Sequence, residues 1–297
     1  MSNKLRIPSP WSQFAVFLGS AGASLILFVF LAGVVYQLAG MGGLGKGGLS
    51  LTDARSIEIN KIIQVLFSVT IFGLTGFLYA RLTFFQNLGP ALGLRSASRN
   101  SFYLLAVVLL LCAIPLESWL GELNKRLPLA AWMISAEKAN DQQIELFLKV
   151  NHPIDAVINV LVMAAIPAFC EELCFRGALQ RIMIQICKRP LTGILVAAFL
   201  FSFFHFQFEG FLPRMFLGVL LGAAYWYSGS LWVPVLAHFV FNAAQVILAM
   251  AFPALLTKNP STPLLFALAS FVMVVGLLYL IKKNSKTTFE EVYGAQP

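Results

Sequence analysis

Charge is scarce in this sequence. Asp, Glu, Lys and Arg together make up 11% of its 297 residues, against roughly 25% in an ordinary soluble domain. That scarcity excludes an ordinary soluble enzyme and a disordered chain, both of which need solvated charge. Cysteine is equally sparse. Cys112, Cys170, Cys174 and Cys187 all lie in or beside apolar segments, so they do not form an extracellular disulfide framework. Histidine occurs three times. The excess of 21 basic over 13 acidic residues gives a net charge of +8, which in a soluble chain would suit nucleic acid. Here the basic residues sit mainly in short loops between apolar runs, where they face anionic lipid. The bilayer is the expected partner, and nucleic acid is not.

What the chain has is long apolar runs. A spanning helix needs about 20 apolar residues. Eight stretches qualify or nearly do: 14–38, 57–80, 101–119, 154–180, 191–207, 211–228, 231–251 and 262–281. The expected fold is all-α, a polytopic transmembrane bundle of about eight spanning helices. The fifth and sixth stretches are short and form either a tight pair of spans or a partly re-entrant unit. The first run is too long for a signal-peptide core and reads as a retained helix. With both termini cytoplasmic, 12 of the 21 basic residues fall on the inner side, a weak bias in favour of that orientation. A multi-pass protein of the cell membrane is the expectation if the host is bacterial. The long connection 120–153 carries Trp132 and an amphipathic stretch, Ser135 to Lys149, expected as a surface helix. Residues 282–297 read as a flexible tail. Three regions follow: 1–153, spanning helices with an interfacial segment; 154–251, the segment that holds the chemistry; and 252–297, the last span and the tail. The run Gly40 to Lys46 mimics the start of a phosphate-binding loop. It lacks the Ser or Thr that would hold magnesium and follows no strand, so it is a glycine-rich loop.

In so apolar a chain, a charge within a helix is informative. The fourth run contains Cys170-Glu171-Glu172-Leu-Cys-Phe-Arg176. A charged residue at mid-membrane costs about 2.5–3.5 kcal/mol on insertion scales. Glu172 and Arg176 stand at i, i+4, so they can form an ion pair. Glu171 points about 100° away. A carboxylate partly desolvated beside another is the setting a general base needs near neutral pH. Glu171 is therefore the candidate for chemistry, and Glu172 with Arg176 for orientation. His205 and His238 lie in apolar runs, and His152 in a loop. His238 and Asn242 share a helix face at i, i+4 and can present two donors to one oxyanion.

These residues resemble the motifs of the CPBP family, the CAAX prenyl proteases and bacteriocin-processing proteins also called Abi, with the type II CAAX endopeptidase as a member. The motifs are Glu171-Glu172-Leu-Cys-Phe-Arg176, Phe201-Ser-Phe-Phe-His205 and His238-Phe-Val-Phe-Asn242, intact and in order. The resemblance covers about residues 154–246. It implies an intramembrane endopeptidase in which Glu171 and His205 activate a water, His238 and Asn242 stabilise the oxyanion, and Glu172 and Arg176 support them. The substrate it implies is a CAAX-type prenylated peptide or another membrane-associated peptide. No cofactor is required in that mechanism.

Alternatives accompany this expectation. Zinc held by Glu171, His205 and His238 would be a metalloprotease-like variant, although no His-Glu-x-x-His is present and Asn242 suits an oxyanion better than zinc. Cys170 and Cys174 flank the glutamates and could supply a thiol, but buried cysteine is commonly a small hydrophobe. Gly218-Val-Leu-Leu-Gly222 reads as close helix packing. A non-catalytic scaffold or immunity protein on the same fold, or a proton-coupled transporter, would also use buried ionisable groups.

Overall fold

The structure is a computed structural model, and residues 5–40, 54–85, 88–253 and 261–293 are described. Most of the glycine-rich run at 40–46 lies outside them. Among the described residues the chain is helical and without strands, apart from one isolated bridge between Leu5 and Phe84. The longer helices are α1 (Pro10–Leu38), α2 (Arg55–Thr83), α3 (Ser101–Asn124), α4 (Ala131–Phe147), α5 (Pro153–Cys187), α6 (Pro190–Phe203), α7 (Phe211–Ser228), α8 (Trp232–Ala251) and α9 (Leu264–Asn284).

The all-α membrane bundle is what the sequence anticipates. Six of these helices are long and apolar enough to cross a bilayer: α1, α2, α3, α5, α8 and α9. The two short runs form α6 and α7. The 14 residues of α6 span about 21 Å at 1.5 Å per residue, less than a hydrocarbon core of about 30 Å. Many large apolar side chains face outward, among them Ile26, Leu265 and Val272, as a lipid-facing surface requires.

Two packed clusters hold the bundle. In one, Phe102, Leu109 and Leu110 of α3 meet Leu220 and Leu221 of α7, Phe241 of α8 and Val274 of α9. In the other, Phe17 of α1 and Phe72 and Tyr79 of α2 pack on Phe175, Leu179 and Ile182 of α5. Helix α5 is not uniform. Its backbone widens to π geometry at Leu161–Ala165 and again at Leu173–Gln180, and α2 does the same at Ser68–Leu74. Such widenings occur frequently at functional sites.

Gly218 and Gly222 do pack closely. A Cβ on Gly218 would meet Ala198 Cβ at 3.0 Å, and one on Gly222 would meet Gln180 Oε1 at 2.6 Å. The bare backbone also accepts hydrogen bonds. Arg176 Nη2 donates to Gly218 O at 3.2 Å, and Gln180 Nε2 donates to Gly222 O at 3.0 Å. Two polar side chains four residues apart on α5 thus meet two carbonyls four residues apart on α7.

The C-terminal segment corrects one expectation. Residues 285–293 are docked, not free. Ser285 Oγ donates to Tyr227 O at 2.7 Å. Phe289–Tyr293 forms a short helix whose Tyr293 ring stacks on Trp226, 6.4 Å between centroids. Phe289 and Tyr293, at i, i+4, give this turn an aromatic face to bury.

Candidate active site

Helix α5 brings Glu171 and Glu172 to the centre of the bundle. Glu172 and Arg176 are almost completely buried, and Arg176 Nη1 lies 2.8 Å from Glu172 Oε1. The ion pair expected from their spacing is formed. The same oxygen also accepts from His238 Nδ1 of α8 at 3.0 Å. A carboxylate only accepts, so Nδ1 of His238 carries a proton and its Nε2 is the nitrogen left for the cavity. The Arg176 guanidinium lies over the Phe201 ring, 4.4 Å from its centroid.

Glu171 looks the other way. Its Oε2 is 3.6 Å from His205 Nε2, longer than a hydrogen bond, so both groups can contact one shared water. His205 Nδ1 lies 2.6 Å from the Phe201 carbonyl oxygen. Carbonyls only accept, which puts a proton on Nδ1 and leaves the Nε2 lone pair toward Glu171 in the neutral ring. His205 does not sit within a helix as its apolar surroundings suggest. It lies in the turn after α6, where its N–H bonds Ser202 O and Phe206 adopts a positive φ of 53°. The helix ends early because this backbone hand cannot continue it. The Phe201 ring, 4.7 Å from that of His205, and Phe72, stacked at 6.4 Å, hold the imidazole in place.

Glu171, His205, His238 and Asn242 all line one cavity of about 460 Å³. The structure therefore brings together the four side chains expected to do chemistry, and it puts Glu172 and Arg176 behind them. Cys170 and Cys174 are buried and do not line this cavity. Among the described residues, no group of three or more His, Cys, Asp and Glu could hold a metal ion. The zinc set Glu171, His205 and His238 does not form such a group, although the Nδ1 bond of His238 to Glu172 would leave its Nε2 available to a metal.

Sequence reasoning missed several groups. Glu117 of α3 and Arg214 of α7 line the same cavity, so the charges within apolar helices are not confined to α5. The criterion that singled out Glu171, a charge inside an apolar run, applies equally to both. Arg214 Nη1 donates to Gln207 O at 3.1 Å, and Nη2 donates to Gln207 Oε1. Asn124 clamps the turn that carries His205: its Nδ2 donates to Phe208 O at 2.7 Å, and its Oδ1 accepts from Leu212 N at 2.8 Å.

The surface helix α4 is also more than interfacial. Asn140, Gln143, Ile144 and Phe147 line the cavity. Glu137 Oε2 accepts from Glu209 N at 3.3 Å, and Trp132 meets Phe208 edge to face at 5.3 Å. Burial pushes the Glu137 carboxyl above its ordinary range. The Asp141 and Glu209 charges push the same way, against the Glu209 N–H and Arg214.

Residues 153–244 match the family model of the Rce1-like type II CAAX prenyl endopeptidases. The uncharacterized protein YpbD of Bacillus subtilis (strain 168) is similar, with 29% identity over 92 residues. The match covers 30% of this chain and 44% of YpbD, so it spans under half the length of that relative. No solved structure matches.

Proposed function

Residues 153–244 are an Rce1-like segment, and from that premise we propose that the chain is an intramembrane endopeptidase. Its proposed substrate is a membrane-associated peptide of CAAX type, reached within the bundle. The observation that carries this reading is the facing pair Glu171 and His205, 3.6 Å apart, in a cavity of the helix bundle lined by both polar and apolar side chains.

Glu171 and the Nε2 lone pair of His205 accept hydrogen bonds from one water. As that water attacks the peptide carbonyl carbon, Glu171 takes its proton. The carbonyl oxygen becomes an oxyanion. The Asn242 amide donates to it, and so does His238 from Nε2 when that nitrogen carries a proton, its ring oriented by the Nδ1 bond to Glu172. The proton then passes to the departing amine, and the C–N bond breaks. Removing one oxyanion donor from such a site costs about 10²–10³ in kcat. Glu172 and Arg176 touch no reacting atom and act through His238 and the packing of α5.

The test uses purified protein in lipid nanodiscs. Prenylated and unprenylated C-terminal peptides are offered to the wild type and to Glu171→Gln, His205→Ala and Asn242→Ala. Cleavage by the wild type, lost in the first two variants and reduced about 10²–10³-fold in the third, supports the reading. If the wild type cuts no peptide that Glu171→Gln spares, the reading fails. The proposed orientation, with both termini cytoplasmic, rests on the loop basic residues.

A further inference from the structure

Arg214 is not used by the mechanism above, yet it lines the same cavity. Among the described residues, its Nη1 and Nη2 donate to the neutral oxygens of Gln207. Among the described residues no carboxylate lies within 4.0 Å of it. Glu137, Glu171 and Glu117 act on it at longer range. A guanidinium has five N–H donors in a planar fork, so three remain. Such a fork matches a carboxylate in two parallel hydrogen bonds. A half-buried cation without a direct counter-ion, open to a reaction cavity, is a place for an anionic ligand.

Its surroundings favour an anion from the chain being cut. Arg214 stands in the first turn of α7, whose N-cap, Gly210, offers no side-chain cap. The amino end of a helix adds positive potential there. The segment from Gln207 to Gly210, to which this fork is bonded through Gln207, begins two residues after His205, so the position of the fork is tied to the water-activating pair. Asn124 holds that segment from α3. A peptide that offers its scissile carbonyl to His238 and Asn242 would occupy the same cavity that Arg214 lines. The one anion that every peptide carries at its downstream end is its terminal carboxylate.

We propose that Arg214 is a specificity residue that binds the free C-terminal carboxylate of the substrate, which confines cleavage to peptide bonds close to a chain end. This rests on the endopeptidase reading. Glu137, Glu171 and Glu117 supply only distant negative charge to Arg214 in the free protein, and a bound carboxylate would meet it by direct contact.

The experiment measures binding and turnover separately. Two S-farnesylated peptides of one sequence are used, one ending in a free acid and the other in an amide. Binding is read by fluorescence anisotropy in nanodiscs on the Glu171→Gln background, which does not consume the peptide. The acid is expected to bind about 10- to 100-fold tighter than the amide. Adding Arg214→Gln should bring the acid down to the level of the amide and leave the amide unchanged, which also reports that the variant is folded. Equal binding of acid and amide before that substitution overturns the proposal, as does a preference that survives Arg214→Gln. So does the absence of any binding. Should Arg214→Gln lose the amide as well, Arg214→Lys decides. It keeps the charge but not the planar fork, and it is expected to bind the amide as before and to retain part of the acid preference; an absent acid preference, or loss of the amide here too, overturns the proposal. Wild-type turnover distinguishes the two readings. If the acid preference is present but the wild type cuts neither peptide, the protease reading falls and Arg214 remains a carboxylate site.

Discussion

Glu172 Oε1 joins two helices through one atom, since it accepts from Arg176 on its own helix and from His238 on α8. All three side chains are buried. Removing one partner of such a pair costs about 3–5 kcal/mol because the other is left charged and unpaired, whereas replacing both is far milder. Arg176→Ala and Glu172→Ala are each expected to lower the thermal unfolding midpoint strongly in detergent. Arg176→Met with Glu172→Leu should lose much less than the sum of the single changes. Additive losses would mean that the pair is not coupled. This ion pair was legible in the sequence because i, i+4 spacing and an apolar setting leave two opposite charges little else to do. The bond from His238 to Glu172 was not legible, since it spans 66 positions and depends on how α8 rotates. The placement of His205 was misjudged for a different reason: a run of Phe residues looks helical, and nothing in it announces the positive φ at Phe206.

At the scale of helices, the meeting of α5 and α7 depends on backbone exposure. In Gly222→Ala the new Cβ would stand 2.6 Å from Gln180 Oε1 and 2.9 Å from Ile194 Cγ2. Overpacking of this kind costs about 1–3 kcal/mol. Gly19→Ala on α1 meets nothing within 4 Å and should gain about 0.5–1 kcal/mol from helix propensity. Opposite shifts in the unfolding midpoint are therefore expected from the same chemical change. The glycine spacing was readable as packing, but the carbonyls it uncovers for Arg176 and Gln180 were not, because the spacing alone names no donor. Helix α4 yields a pH prediction. The Glu137 carboxyl titrates above its ordinary value when α4 is docked. Docking is then fully favoured below the ordinary carboxylate range and weakens as pH rises through the raised value. Hydrogen exchange over residues 131–147, corrected for the intrinsic effect of pH, should show protection falling over that window. Glu137→Gln should flatten the dependence.

On the scale of the whole molecule, an apolar exterior surrounds a bundle that is itself packed by apolar clusters, with ionisable groups gathered at one cavity. The class of fold was therefore plain from composition, while the exact set of crossings was not, because α6 is too short to judge by hydropathy. The proposed orientation is insensitive to that point: α6 and α7 contribute an even number of crossings whether they traverse the bilayer as two spans or turn back together. A green fluorescent protein fused to the C-terminus should fluoresce in a bacterial host, and an alkaline phosphatase fused there should be inactive. The opposite pair of results would invert the topology. Phe201 adds a last point. Its ring faces the cavity and carries the Arg176 guanidinium on its surface, and neither Arg176 nor Glu172 lines that cavity. The ring works as a partition between two polar pairs. Glu172 with Arg176 lies behind it, within the packing of the bundle; Glu171 with His205 lies on the open side, facing the cavity. His238 reaches both sides, since its Nδ1 bonds Glu172 and its ring lines the cavity. Anything held in the cavity is therefore joined by contact to the Glu172 and Arg176 pair through His238, while the charges on the two sides still act on one another across the ring.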